Sequence, residues 1–128
     1  MSTNEGPVEL SVPAERRYLR LARLTASGFA SDLGVSMDDV EELRLAVDEA
    51  CAALVEEAVE NDRLTLTYAV ESGAVVITAA SPLSANGPVS PHPVAAAVLS
   101  ATVDEYHVEV DAEGRNVIRL VKRLALRD

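Results

Sequence analysis

One carboxylate, Glu49, is the residue of this chain best placed to do chemistry. It lies within Leu43–Leu54, an alanine-rich stretch whose large apolar side chains recur at helical spacing. A carboxylate in such a setting acts as a general base when a substrate proton lies within hydrogen-bond reach. The residue four positions later, Ala53, has only a methyl group and adds no second polar atom. Two interpretations stay open: a base, or a carboxylate on a helix flank satisfied by solvent or a nearby arginine.

A row of arginines, Arg16, Arg20 and Arg23, is the second feature of interest. Their spacing of four and three residues puts them on one side of a helix. A cationic face is unexpected in a chain whose formal net charge is −10. The row is either a solvated helix side with local ion pairs, for example to Glu15, or a binding surface, because arginine is favoured at protein interfaces.

Other polar side chains are weaker candidates for a functional site. Cys51 falls in the apolar stripe of its helix and is expected to be a small core residue rather than a reactive thiol. His92 and His107 are far apart in the sequence and have no metal-ligand spacing. We expect no metal site. An acidic cluster consists of Asp38, Asp39, Glu41 and Glu42. We expect it to cap the helix and form a solvated face rather than to bind calcium or a partner.

Composition narrows the class of protein. The chain has 128 residues, enough for one domain, and with no Trp and one Phe its core must be aliphatic. The net charge of −10 argues against a nucleic acid or an anionic membrane as the partner. No apolar run reaches the ~20 residues of a membrane span, and the first seven residues lack the features of a signal peptide. We expect a soluble, cytoplasmic protein.

The hydrophobic pattern predicts the element order β-α-α-β-β-α-β-β. Residues 1–6 are expected to form a flexible tail, and residues 7–128 a single domain. Ser36 and Asp39 would cap the second helix, and the third helix is expected to be almost wholly buried. This order predicts an α+β fold, a two-layer sandwich with a mostly antiparallel sheet of about five strands and three helices on one face. Strands are expected over 8–12, 63–70, 74–80, 105–111 and 116–124, and helices over 14–32, 36–61 and 94–103.

The element order and the segment Leu45–Cys51, with the sequence LAVDEAC, resemble the anti-sigma-factor serine kinases. These are a branch of the histidine-kinase-like ATPases with the Bergerat fold, and the resemblance extends from Val8 to Lys122. It implies that Glu49 stands where the family has its proposed general base. It also implies that Ala53 stands where the family has the asparagine that holds magnesium. A methyl group cannot ligate magnesium, which needs oxygen donors.

This chain also lacks counterparts of the family's two glycine boxes. The sequence reads AASPLS from Ala79, where the first box would supply an aspartate and spaced glycines. It reads PHPVAA from Pro91, where the second would form a flexible lid, and proline has no N–H to offer a phosphate. We therefore expect no ATP or magnesium cofactor, and a would-be nucleotide cleft closed by Val94, Ala95 and the proline loop.

The resemblance also implies a function. In the family the first helix faces the partners, and an arginine matching Arg23 contacts the sigma factor and its antagonist. We expect an anti-sigma-type regulator that binds a sigma factor or an anti-anti-sigma protein through Arg16, Arg20 and Arg23, without kinase activity. A homodimer would pair through the first helix and the outer face of the sheet. The alternatives are a serine/threonine kinase with a nonstandard ATP site and Glu49 as base, or a domain that has lost both functions.

Overall fold

A five-stranded antiparallel sheet with three helices on one face makes up residues 5–124, the part of the chain that the computed structural model describes. The strand order is β1-β2-β3-β5-β4, so β1 and β4 form the edges. The predicted α+β sandwich is confirmed. The strands are β1 (Glu5–Pro13), β2 (Arg63–Glu71), β3 (Ala74–Pro82), β4 (Glu105–Val110) and β5 (Arg115–Arg123).

The helices are α1 (Leu19–Ser31), α2 (Met37–Glu56) and α3 (Pro93–Thr102), and a short 3-10 turn at Arg16–Tyr18 leads into α1. The Ser36 hydroxyl accepts a hydrogen bond from the Asp39 backbone N–H at 3.1 Å, which caps α2 as predicted. The cap satisfies one of the amides that every helix leaves unpaired at its first turn.

The core lies between the helices and one face of the sheet, and it is aliphatic as composition requires. Alternate residues of β2, namely Leu64, Leu66 and Tyr68, are fully buried on that face. The Tyr68 hydroxyl donates a hydrogen bond to the Ala22 carbonyl at 3.1 Å, which joins β2 to α1. The small buried residues of α1 let it pack closely on α2, and they are Ala22, Ala26 and Ala30.

Helix α3 departs from its prediction. It was expected to be almost wholly buried, yet only Leu99 and Thr102 of its ten residues are. Val94 is 65% exposed. The prediction was wrong because an apolar composition all round a helix predicts burial only if neighbours surround it. This short helix lies toward the β4 edge of the sheet, where α2 and β4 are its packing partners.

The predicted N-terminal tail lies mostly outside the described residues. Its last two residues, Glu5 and Gly6, belong to β1, where Glu5 pairs with Val70 of β2. Within the described range, none of the helices combines the length and the apolar character that crossing a membrane requires.

Candidate functional site

A cleft of about 270 Å³ lies between the C-terminal half of α2 and the loop that leads to α3. One wall is lined by Ala53 and Glu56 of α2 and by Glu57, the residue that follows the helix. The loop residues 86–92 form the other wall. Ala53, which the resemblance places at the position of the magnesium ligand, thus lies on the wall of this cleft.

Two hydrogen bonds hold the loop in place. The Val89 backbone N–H donates to the side-chain oxygen of Asn116, a buried residue of β5, at 3.0 Å. The Asn86 side-chain amide donates to the Glu57 carboxylate at 2.8 Å. The Val89 side chain is itself buried in the hydrophobic core. The loop is therefore fixed between β5 and α2 and fills space beneath the cleft.

The chemistry of the lining is unfavourable to a polyphosphate. Glu56 and Glu57 present carboxylates, which repel phosphate oxygens, and Pro88 and Pro91 have no N–H to donate. The N-terminal amide of α3 at Val94 already donates to the His92 Nδ1 at 3.1 Å.

The predicted closure of this cleft by Val94 and Ala95 was wrong. Val94 is mostly exposed, and in the described chain neither residue is part of the cleft lining. The helix begins at Pro93, so Val94 lies in its first turn and faces solvent. The proline loop, the third part of that prediction, does border the cleft, because residues 86–92 line it.

Glu49 is partly buried on α2, and within residues 5–124 it has no hydrogen-bond or ion-pair partner. A nearby arginine, Arg23, pairs with the adjacent carboxylate, that of Asp48. Arg23 Nη1 lies 2.7 Å from Asp48 Oδ1, and this ion pair joins α1 to α2. Glu49 also lies outside the set of described residues that line the cleft, although Ala53 is one turn away on the same helix.

The structure divides the predicted arginine row into two parts. Arg16, in the 3-10 turn, and Arg20, on α1, are exposed. Arg23 is turned toward α2, where it makes the Asp48 ion pair with about a third of its side chain exposed. A further arginine, Arg17, was not predicted as a site residue. Its Nε lies 3.3 Å from the Glu15 carboxylate, and its guanidinium lies over the Tyr18 ring, 4.9 Å from the ring centre.

Two exposed leucines complete this side of α1. Leu21 is 44% and Leu24 is 52% exposed. The buried stripe of the helix starts at Leu19 and continues through alanines spaced by four, a signal that the sequence contained. We call the exposed set the α1 surface, and it consists of Arg16, Arg17, Arg20, Leu21 and Leu24.

Cys51 is a core residue, as predicted. It is fully buried, and burial, together with the charge of Asp48, raises the pKa of its thiol from 9.0 to about 12. The thiol is therefore protonated at neutral pH and is a poor nucleophile. Among the described residues, no group of three or more His, Cys, Asp and Glu side chains is arranged to hold a metal ion.

Comparison with known proteins gives consistent matches. The family model described as "Histidine kinase-like ATPase domain" matches residues 12–122. The chain is 44% identical over 62 residues to the serine-protein kinase RsbW of Bacillus velezensis, covering 48% of this chain and 39% of that protein. It is 41% identical over 63 residues to the RsbW of Bacillus subtilis, covering 49% of this chain and 39% of that protein. The match thus spans about two fifths of the length of these relatives.

A solved structure agrees on the fold. The crystal structure of the RsbU and RsbW domains of Rv1364c from Mycobacterium tuberculosis superposes on 94% of this chain and on 33% of that chain, with a TM-score of 0.74. Sequence identity in that match is 18%, so it speaks for the fold alone. The resemblance to the serine kinases of this fold, inferred from the segment Leu45–Cys51, is confirmed by the family model and by the curated relatives.

Proposed function

The chain belongs to the histidine kinase-like ATPase domain family, and from this premise we propose that it is an anti-sigma-type regulatory protein. It acts by binding a protein partner, a sigma factor or an anti-anti-sigma protein, and it neither binds ATP nor phosphorylates that partner. A homodimer and a cytoplasmic location, where such partners act, belong to the same proposal. The serine-protein kinases RsbW among its relatives support the regulatory class.

The observation that carries the proposal is the lining of the α2 cleft. A magnesium–ATP site needs oxygen ligands for the metal and N–H donors for the phosphates. Here Ala53 supplies a methyl group, and Glu56 and Glu57 supply negative charge where the phosphates would lie. The loop that would have to open for a nucleotide is held through Val89 by the buried Asn116. Each of these features opposes nucleotide binding for a different physical reason.

The α1 surface is the region of the chain that would bind the partner. It combines the exposed arginines Arg16 and Arg20 with the exposed leucines Leu21 and Leu24, and a mixture of arginine and apolar side chains is typical of interface centres. Its positive charge stands out in a chain of net charge −10 and favours an acidic partner segment. Arg23 supports this surface indirectly, because its ion pair with Asp48 fixes α1 against α2.

A direct binding assay tests the proposal. Purified sigma factors and anti-anti-sigma proteins from the same genome are titrated against the full chain. We expect one of them to bind, and the double substitution Arg16→Glu and Arg20→Glu to weaken binding at least tenfold, about 1.4 kcal/mol. Arg44→Glu, a substitution of another exposed arginine, on α2, serves as the control and should leave affinity unchanged. Equal affinity of both variants would remove the α1 surface from the proposal.

A second candidate, a serine/threonine protein kinase with a nonstandard ATP site, has two observations in its favour. Glu49 is retained at the general-base position, and the curated relatives are themselves serine-protein kinases. For this candidate, magnesium–ATP should bind to the chain and phosphate should be transferred to a partner serine. Loss of transfer in Glu49→Gln would then identify the base.

A further inference from the structure

The loop between β3 and α3 contains the pair Asn86-Gly87, which can undergo a covalent change without an enzyme. The chain has four asparagines, and Asn86 is the one that a glycine follows; Glu5, Asp62 and Val117 follow the others. The side-chain amide of an asparagine is open to attack by the backbone nitrogen of the next residue. A glycine at that position favours the attack, because it has no side chain to block the approach and its backbone is the least restricted.

The structure exposes this pair to water. Asn86 and Gly87 lie in a tight turn that begins at Ser84, and the Asn86 side chain is exposed. The backbone of Gly87 has a φ of 85°, and a Cβ added there would meet no atom within 4 Å. Of the other asparagines in the described range, Asn61 is also exposed, whereas Asn116 is 2% exposed and belongs to β5.

The side-chain nitrogen of Asn86 is also the atom that joins the loop to the end of α2. Asn86 Nδ2 donates to a carboxylate oxygen of Glu57 at 2.8 Å. The other anchor of the loop, the Val89 N–H on the side chain of Asn116, does not involve this nitrogen. Loss of the Asn86 nitrogen would therefore break one of the two anchors and spare the other.

We propose that Asn86 is a site of spontaneous deamidation, and that the change frees the loop from Glu57. The backbone nitrogen of Gly87 bonds to Cγ of Asn86, the Cγ–Nδ2 bond breaks, and the amide nitrogen leaves as ammonia with the proton that Gly87 gives up. A water molecule then opens the resulting cyclic imide at either carbonyl carbon, which gives aspartate or isoaspartate. Solvent water is the co-reactant, and the sequence of steps includes no oxidation or reduction.

The product interacts with α2 in the opposite sense. A carboxylate replaces the amide at position 86, so a donor to Glu57 becomes a negative charge beside it, and Glu56 carries a further one in the same cleft lining. The isoaspartate form also adds a carbon atom to the main chain, which lengthens the loop. Residues 86–88 should therefore move away from α2, while the buried Val89 keeps the loop attached to β5.

The folded structure restrains the reaction. The Gly87 N–H donates to the Ser84 carbonyl at 3.0 Å, so the attacking nitrogen is engaged until the turn opens. The Asn86 amide must likewise leave Glu57 before Cγ can be attacked. Deamidation should be slower than in the unfolded chain, and it should accelerate as pH rises, because the attacking nitrogen must lose its proton. The modification needs neither a nucleotide nor a protein partner, so its test is independent of the proposed function.

Peptide mass spectrometry of the full chain, sampled during incubation in mildly alkaline buffer, tests the site. We expect Asn86 to gain the mass that exchange of NH2 for OH brings, and a more acidic species to accumulate on ion-exchange chromatography. Asn86→Gln keeps a side-chain amide but must form a larger ring, so it should abolish that species. Asn61→Gln, at another exposed asparagine, is the matched control and should leave the species unchanged. An Asn86 that stays intact for several weeks, or conversion of Asn61 before Asn86, would overturn the proposal.

Hydrogen exchange tests the release of the loop. Asn86→Asp reproduces one product and should lower the protection factor of the Gly87 amide about threefold, because a charge-assisted contact is replaced by repulsion. Asn61→Asp introduces the same charge at the turn after α2 and should leave the protection of this amide unchanged. Equal protection in the parent chain and in Asn86→Asp would overturn the inference that deamidation frees the loop.

Discussion

Two neighbouring carboxylates of α2 have different environments, and the difference decides what each can do. Asp48 is paired with Arg23 across the helix interface at 2.7 Å. Glu49 has no partner in the described part of the chain and no place in the cleft lining. A general base must approach the proton it removes, so Glu49 would need a substrate to reach it outside the cleft.

The Arg23–Asp48 pair should stabilise the fold modestly. Because each side chain is 37% exposed, solvent screens the pair, and Arg23→Ala should lower the free energy of unfolding by about 0.5–1 kcal/mol. Urea denaturation measures the change, and a double-mutant cycle with Asp48→Asn isolates the coupling. Arg20→Ala is the control and should have little effect on stability. A coupling of zero would show that Arg23 does not fix α1 to α2.

The buried thiol of Cys51 predicts a loss of stability at alkaline pH. Its pKa is raised from 9.0 to about 12 in the folded chain, so below pH 9 it is protonated in both states and the stability is at its full value. Above pH 9 the unfolded chain releases the proton first, and the free energy of unfolding falls as pH rises toward 12. Burial also raises the pKa of Tyr68, which adds to the loss at higher pH.

Cys51→Ala isolates this contribution. The free energy of unfolding should fall less steeply above pH 9 in the variant than in the parent chain. In the parent, a thiol reagent should label Cys51 slowly in native buffer and quickly in denaturant. Rapid labelling of the folded chain, or identical pH slopes, would contradict the buried environment.

At the scale of elements, two long-range hydrogen bonds hold the loop between β3 and α3, and the one to Asn116 is buried. Asn116→Ala removes the acceptor of the Val89 N–H inside the core and should cost about 1–3 kcal/mol of stability, since a buried donor is left unpaired. Hydrogen exchange at the Val89 amide should accelerate. Asn86→Ala, which removes an exposed bond to Glu57, is the control and should change stability by less than about 0.5 kcal/mol. Similar effects of the two substitutions would contradict the anchoring role of Asn116.

How far the sequence predicts an element depends on whether its determinants are local. The cap of α2 at Ser36 and the hairpin of β2 and β3 were predicted because residues a few positions apart determine them. The exposure of α3 was not predicted, because its uniform apolar composition does not reveal that the helix lies at a sheet edge. The burial of Val89 depends on Asn116, which lies 27 residues later.

The same distinction applies to the candidate site. The change of asparagine to alanine at Ala53 and the prolines of the loop can be read from the sequence through the resemblance. The pairing of Arg23 with Asp48, 25 residues away, cannot be read from the sequence, because the spacing of three arginines on one helix says nothing about the neighbouring helix. The exposed leucines of the α1 surface were missed for a related reason, because packing against the neighbouring elements decides which apolar residues of α1 are buried.

At the scale of the whole molecule, the carboxylates of the cleft and the exposed arginines lie on different surfaces and favour different partners. The chain is strongly acidic, with a net charge of −10, and its α2 cleft adds two carboxylates where an anionic nucleotide would have to bind. The exposed arginines Arg16 and Arg20 lie on the α1 surface instead. In the proposed function, this arrangement disfavours a nucleotide in the cleft and leaves the α1 surface as the docking site for an acidic protein.

The central claim is that the scaffold binds proteins without binding nucleotide, and isothermal titration of the full chain with ATP and magnesium tests it most directly. We predict no saturable heat at any accessible ATP concentration, and the same result for Ala53→Asn, because the carboxylates and prolines of the cleft remain. Saturable, magnesium-dependent binding of ATP to the parent chain, abolished by chelation of the metal, would contradict the account.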